Sequence, residues 1–413
     1  MKTFFLLLIT AVSLWSLSLD EAIERAMLHS PVIHKAQSDV RYAASNELGA
    51  EAAFHPTLDA GYNWRDVDKT TAFSYSPAYS YNLTAKFNLF NGFSDKAGVN
   101  ARELETESQH LLLIAKKEDV KLNVMNAYAN YLKAKKAVQT QKDELNSLNR
   151  SYKDTKVRYE QGMIGKNELL LIEVERLRAE QALVSAKSDV IRNRNNLGRS
   201  IGVTLHKREV VEEIIKDAML EQDIDTLLKR TLENRSELRA LYKQKEALEE
   251  EQSVATGGFY PRVDLQGEYK VNDKRLLFGG SVVQHKELFT STVNVSWNLY
   301  NGRADEAQRK GVLERSSGIN ADIEAMKLEL QYQIVDAYEV YRTAKSAQDV
   351  AQRAKESAEE NFRITNDRYE YGQVDTLTLL KTQSDLTAAR NADNNAYYNL
   401  YMALASIKRI SGE

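Results

Sequence analysis

Cysteine is absent from this chain of 413 residues, which excludes disulfides, thiolate metal sites and cysteine nucleophiles together. Proline is scarce: Pro31, Pro56, Pro77 and Pro261 are the only four, so residues 78–260 and 262–413 contain none. Long uninterrupted helices are therefore permitted. A basic excess is missing too. The formal net charge is −3, with 56 Lys and Arg interleaved among 59 Asp and Glu as on solvated helix faces, whereas a nucleic-acid binder needs a basic stripe. The six histidines, at 29, 34, 55, 110, 206 and 285, lack metal-ligand spacing such as His-Glu-x-x-His, and no Gly-rich phosphate loop occurs. No enzymatic activity, cofactor, metal or nucleic-acid partner is expected.

Long apolar runs are missing except at the N-terminus. Lys2 is followed by Phe4 to Trp15 and then by Ser16-Leu17-Ser18, a pattern that predicts a secretory leader over 1–18 with cleavage before Leu19. The alternative, a membrane anchor, needs roughly 20 apolar residues and this run is shorter. Any membrane insertion of the remaining chain must use another route than an apolar helix.

What is present is a duplication. Arg158-Tyr159-Glu160-Gln161-Gly162 returns as Arg368-Tyr369-Glu370-Tyr371-Gly372, each time ending a long helical pattern, with glycine supplying the left-handed stop. A helical stretch from Leu19 to about Phe54, with Asp20, Glu21 and Glu24 in its first turn, has its counterpart from Ile224 at a spacing of 205. Phe54-His55-Pro56 matches Phe259-Tyr260-Pro261 at the same spacing. After each proline the period changes to two. Leu58, Ala60, Tyr62 and Trp64 alternate with polar residues, as do Val263, Leu265, Gly267, Tyr269 and Val271. Second alternating runs follow, Tyr79 to Leu89 and Phe289 to Leu299, now spaced by 210, so five residues are inserted in the second hairpin loop. Both end in the same words, Asn88-Leu89-Phe90-Asn91-Gly92 and Asn298-Leu299-Tyr300-Asn301-Gly302, where Asn91-Gly92 and Asn301-Gly302 signal turns. Ser94 or Asp95, and Asp305 in the copy, are the expected caps of the next helix.

That helix is long. From Asp95 to Tyr159 it covers about 65 residues, which at 1.5 Å each is roughly 100 Å. Spacings of three and four run through Val138, Leu145, Leu148, Tyr152 and Tyr159, and in the copy through Ile334, Tyr338, Tyr341, Ala351, Ala358, Phe362 and Tyr369. Returning helices are read on Leu170, Val174, Leu177, Val184 and Ile191, and on Leu377, Leu380, Leu386 and Ala389. The expected organisation is a first repeat over 19–202, with a hairpin at about 57–91 and a tip at about 159–166. A linker at 203–223 leads to a second repeat over 224–413, with a hairpin at about 262–301 and a tip at about 369–375.

Each strand has about 10 residues, the length that crosses a bilayer at a tilt, and Tyr62, Trp64, Tyr79 and Tyr81 cluster like an aromatic girdle. The competing reading is a soluble hairpin packed on a core. Four strands cannot close a barrel, and open edges are not tolerated in lipid, so strands must come from several copies. Two copies give an interior filled by side chains; three give twelve strands and room for water. The polar faces, Asn82, Thr84, Lys86, Asn88 and Asn294, Ser296, Asn298, favour the trimer. The fold class is thus an α+β membrane protein, a trimeric twelve-stranded β-barrel continuous with an antiparallel coiled-coil tunnel.

The leader, tandem repeats, strands ending in Leu-Phe/Tyr-Asn-Gly and tips of the form Tyr-x-x-Gly resemble the outer-membrane efflux protein family of TolC-like channels. The resemblance implies a homotrimer in outer-membrane lipid with most of its mass in the periplasm. Its tips, Tyr159, Gly162, Gly165, Tyr369 and Gly372, would dock a periplasmic adaptor (membrane fusion) protein and lead to an inner-membrane transporter. The implied function is a passive exit duct of a tripartite efflux or type I secretion system. A periplasmic adaptor or coiled-coil scaffold without a pore is the alternative. Without cysteine the chain cannot carry the lipid anchor some members have. The resemblance also implies a gate at the tips, with Glu168 facing Tyr369. Where the family has an arginine this chain has Val374, and where it has two aspartates this chain has Thr378 and Lys381, so Asp375 and Lys381 give another charge pattern. The alternative for Tyr159 and Tyr369 is packing between the coils.

Overall fold

In the computed structural model the described residues are 16–66, 68, 78–205, 210–213, 220, 222–273 and 286–412. The expected leader falls outside them for residues 1–15, as does most of the linker read at 203–223. The elements follow the order β1 (Ser16–Leu17), α1 (Leu19–His29), α2 (Pro31–Glu51), β2 (Thr57–Arg65), β3 (Ala78–Asn91), α3 (Ser94–Glu160) and α4 (Lys166–Ile201). The second half brings β4 (Val210–Val211), α5 (Ile224–Asn234), α6 (Ser236–Gly257), β5 (Arg262–Asp273), β6 (Lys286–Ser296), α7 (Ala304–Glu370) and α8 (Thr376–Ser411). The duplication holds at the level of single residues: α3 and α7 both have 67 residues, and α4 and α8 both have 36.

The chain divides into two compact units. One comprises residues 36–113 and 236–326, and the other 1–35, 114–235 and 327–413. In the first, the strands form one antiparallel sheet in the order β2-β3-β5-β6. Its register puts like on like. Tyr62 pairs with Tyr81 and Trp64 with Tyr79, Leu83 with Tyr269, and Leu265 with Val293, all on one face. Asn82 opposite Lys270, Thr84 opposite Glu268 and Asp264 opposite Asn294 make the other face polar. The apolar face is uncovered: Leu58, Trp64, Val293 and Val295 are all more than half exposed. The edges β2 and β6 have no further strand partner among the described residues.

The second unit holds the packed core. Leu227, Ile334, Tyr341, Leu404 and Ile407 form one buried cluster, and Leu148, Ile172, Ala179 and Leu380 another. Several expectations need correcting. The first helical stretch is not continuous to Phe54 but breaks after Ser30, because Pro31 has no amide proton to continue it and suits the first position of a new helix. The copy breaks in the same place without proline, at extended Arg235, whose guanidinium donates to the Arg409 carbonyl at 2.6 Å. On α4 the expected seam faces outward: Leu170, Val174, Leu177, Val184 and Ile191 are all exposed. Ile172, Ala179, Leu183, Ala186 and Leu197 turn inward instead. Leu377 is exposed too, whereas Leu380 and Leu386 are buried as expected.

Ser16, Leu17 and Ser18 are built into this unit. Ser16 and Leu17 pair in parallel with Val210 and Val211, and Leu17 is fully buried. The Tyr128 hydroxyl lies 2.9 Å from the Leu17 carbonyl and 2.8 Å from that of Glu212. Burial, first, and the nearby Glu212 carboxylate push this phenol far above its ordinary value, so it stays a neutral donor. Ser18 Oγ accepts from the Glu21 amide and caps α1.

Candidate functional site

The two tips are made the same way. Gly162 and Gly372 adopt φ of +72° and +70°, with no neighbour within 4 Å of where a Cβ would sit. The amides of Gly162 and Met163 donate to the carbonyls of Tyr159 and Arg158, and those of Gly372 and Gln373 to Tyr369 and Arg368. This pairing of 5→2 and 6→1 bonds satisfies carbonyls that a helix end leaves open. The restarts differ. The position before α4 is Gly165, with no side chain to cap, while Asp375 accepts from the Thr378 amide at 2.8 Å and caps α8. Bonds to Thr378, side chain first and then backbone, hold the Asp375 carboxyl below its ordinary range.

The tips are tied together by a buried hydroxyl chain. Tyr369 is only 5% exposed, and its hydroxyl lies 2.9 Å from Thr155 Oγ1 and 3.4 Å from Thr376 Oγ1. Thr376 in turn donates to Glu168 Oε2 at 2.7 Å. A carboxylate only accepts, so the single proton of Thr376 is committed to Glu168 and its oxygen accepts from Tyr369. The Tyr369 proton then points at Thr376, and Thr155 donates to Tyr369. All four groups are satisfied in one direction, ending on the negative charge. Arg158 closes the other side. Its guanidinium lies 4.8 Å from the Tyr369 ring centre and donates to the carbonyls of Tyr369 at 3.2 Å and Glu370 at 3.0 Å, at the C-terminal end of α7.

The expected direct bond between Tyr369 and Glu168 is therefore a bridged one. Thr376 is not marked by the sequence, and neither Arg158, the first residue of the repeated tip, nor Thr155 is given a role in the site by it. A signal for one existed: Thr155 and Thr365 occupy matching polar positions in the helical seam and both are buried. The two tip tyrosines are unequal, since Tyr159 is exposed while Tyr369 is enclosed. Thr378 and Lys381 point outward and join no part of this network.

At the strand ends, Asn91 donates to Asp95 at 3.3 Å, Asn88 also bonds Asp95, and Ser94 Oγ donates to the Val254 carbonyl. Gly92 has φ +58°, and a Cβ there would lie 2.5 Å from the Gly257 carbonyl, so this turn requires glycine. In the copy the cap is not Asp305: Asn301 Oδ1 accepts from the Ala304 amide at 3.1 Å. The left-handed Gly302-Arg303 pair swings Asn301 over the helix start before Asp305 is reached.

A duplicated helix–hairpin–helix chain with a two-faced sheet and long helical hairpins defines the class of outer-membrane channel proteins. A sequence model described as outer membrane efflux protein matches residues 22–203 and 227–413, and the chain belongs to that family. Protein CyaE of Bordetella pertussis is 23% identical over 388 residues, covering 91% of this chain and 79% of that protein. The Vibrio cholerae outer membrane protein VceC superposes with a TM-score of 0.78 at 18% identity, over 95% of this chain and 96% of that one. The Campylobacter jejuni CmeC outer membrane channel gives 0.82 at 15% identity, over 95% and 85%. The chain is an outer-membrane efflux channel component, which sets aside the adaptor reading. No helix among the described residues is long and apolar enough to cross a membrane.

Proposed function

We propose that three copies of this chain close a twelve-stranded barrel and form a passive exit duct. An inner-membrane transporter supplies cargo through a periplasmic adaptor, in a tripartite efflux or type I secretion system. The observation that carries this reading is the four-stranded sheet, with an apolar face, a polar face and two open edges. Lipid demands that those edges be paired, and the polar face suits a water-filled lumen. The exposed apolar stripe on α4 supports the same reading, since a helix face of this size needs a covering partner. The tips around Tyr159, Gly162, Gly165, Tyr369 and Gly372 are the proposed docking surface. The Thr155–Tyr369–Thr376–Glu168 chain is the proposed latch that holds two hairpins together when the duct is shut. Asp375, Thr378 and Lys381 flank it as a mixed rather than acidic rim.

The test is purification from outer membranes, native mass measurement and reconstitution in planar bilayers. A trimer with discrete ion conductance is expected. A monomer without conductance overturns the duct.

A further inference from the structure

The internal repeat also specifies how one copy joins the next. Within the chain, hairpin β2–β3 meets hairpin β5–β6 along the β3–β5 seam. The two hairpins have equivalent registers: Thr57 faces Lys86, and 205 and 210 residues later Arg262 faces Ser296. The β3–β5 seam is thus a worked example of how the end of one hairpin meets the start of another. Adding 210 to β3 residues 78–86 gives β6 residues 288–296, and subtracting 205 from β5 residues 262–270 gives β2 residues 57–65. On the homotrimer reading above, we infer that β6 of one copy pairs antiparallel with β2 of its neighbour, Asn294 facing Asn63, in the register of that seam.

Thr84 facing Glu268 becomes Asn294 facing the neighbour's position 63, and Ala85 facing Gly267 becomes Val295 facing position 62. The rest follows: Val293 meets Trp64, Trp297 meets Ala60, and Tyr300 meets Leu58. Apolar residues meet apolar ones throughout, and on the other face Ser296 meets Gly61 and Asn298 meets Asp59. A slip of one residue would put every side chain on the wrong face. A slip of two would keep the faces, and the repeat decides against it.

The same mapping accounts for two features otherwise unexplained. Strand β3 continues to Asn91, with a register shift between Asn88 and Phe90 that leaves Leu89 as the extra residue of a bulge. Residues beyond Lys86 have no β2 partner and are paired by β5 alone. In the copy, β6 stops at Ser296, and the expected continuation through Trp297, Asn298 and Leu299 is not strand. These residues occupy the place of Phe87 to Leu89, whose partner is the adjoining hairpin. In a single chain that partner does not exist. The shared words Asn-Leu-Phe-Asn-Gly and Asn-Leu-Tyr-Asn-Gly are then one bulged strand end used twice, once inside the chain and once between copies.

The absence of cysteine allows a clean test by oxidation of engineered pairs in the full-length protein in outer membranes. Asn63→Cys with Asn294→Cys is expected to give dimer and trimer bands under non-reducing conditions. Thr84→Cys with Glu268→Cys, the equivalent pair inside one chain, should remain a monomer band. Strong cross-linking only in Gly61→Cys with Asn294→Cys, or Arg65→Cys with Asn294→Cys, would overturn the register while leaving the trimer standing. A native trimer in which no β2–β6 pair cross-links would overturn the seam itself. A monomer by native mass would instead sink the trimer reading beneath it.

Discussion

Replacing Thr376 with valine keeps the shape of a side chain that is 1% exposed and removes one hydroxyl from the middle of the tip network. Glu168 loses its donor at 2.7 Å, and Tyr369 loses the acceptor for its proton. A hydrogen bond to a charged group is worth about 1.5–3 kcal/mol net, and the half-exposed Glu168 carboxylate recovers part of it from water, so the low end applies. If the bond exists only in the shut tip, about 1.5 kcal/mol shifts the shut–open equilibrium roughly tenfold per protomer, and about a thousandfold if three protomers open together. The assay is single-channel recording in planar bilayers. Thr376→Val should raise open probability or mean conductance, and Tyr369→Phe combined with Glu168→Gln should do the same. Packing around the tip is preserved, so the melting temperature should fall by only a few degrees. Wild-type conductance in both variants, with trimers intact, would reduce the network to packing and remove the latch.

Three further outcomes follow from the packing. Val184→Asp with Ile191→Asp alters two residues that are 64% and 62% exposed in the single chain. It should abolish trimers while changing the stability of the separated chain by less than about 0.5 kcal/mol each; a large loss of monomer stability would show these residues to be core. Burial raises the Glu144 carboxyl above its ordinary range against an opposing bond from Thr387. Its folded value thus exceeds the unfolded one, so its contribution is most favourable at acid pH and is lost as pH rises through the folded value. Glu144→Gln should therefore raise the melting temperature at pH 7 and lose that advantage near pH 4; an advantage that persists in acid would refute burial as the cause. Finally, cleavage before Leu19 would discard buried Leu17 and the Ser18 cap, leaving Val210 and Val211 without a strand partner. The intact mass of the mature chain should place its first residue at or before Leu17, and a start at Leu19 would refute this.

The duplication was the most legible feature, because a repeat preserves spacing even where it changes residues. Spacings of 205 and 210 foretold matched helices of 67 and 36 residues, and alternation foretold the two-faced sheet. Which face of a helix turns inward was less legible. Helix α4 carries two apolar stripes, and heptad spacing favours the bulky one at Leu170, Val174 and Leu177. The other, Ile172, Ala179, Leu183, Ala186 and Leu197, is buried within the chain, and its mixture of large and small residues stands out less in the spacing.

The tip shows why its site was the hardest part to read. Glu168 and Tyr369 could be named because the resemblance to TolC-like channels implies a gate at those positions, yet the group that joins them is Thr376, whose counterpart in the first copy is Lys166. The network therefore exists only where the repeats have diverged. In the first copy Gly165 opens the returning helix without a cap, whereas in the second Asp375 caps it and fixes the turn beside Thr376. A duplicated architecture supplies two equivalent hairpins. A link between them needs a donor on one and an acceptor on the other, and the exchange of Glu168 for Thr378 and of Lys166 for Thr376 provides that inequality. Restoring the symmetry with Thr376→Lys should put a long side chain where a 1% exposed threonine sits and push Tyr369 from its place beside Thr155, so conductance should exceed that of Thr376→Val; conductance at or below wild type would show that a new Lys–Glu168 ion pair holds the hairpins as well as the hydroxyl did.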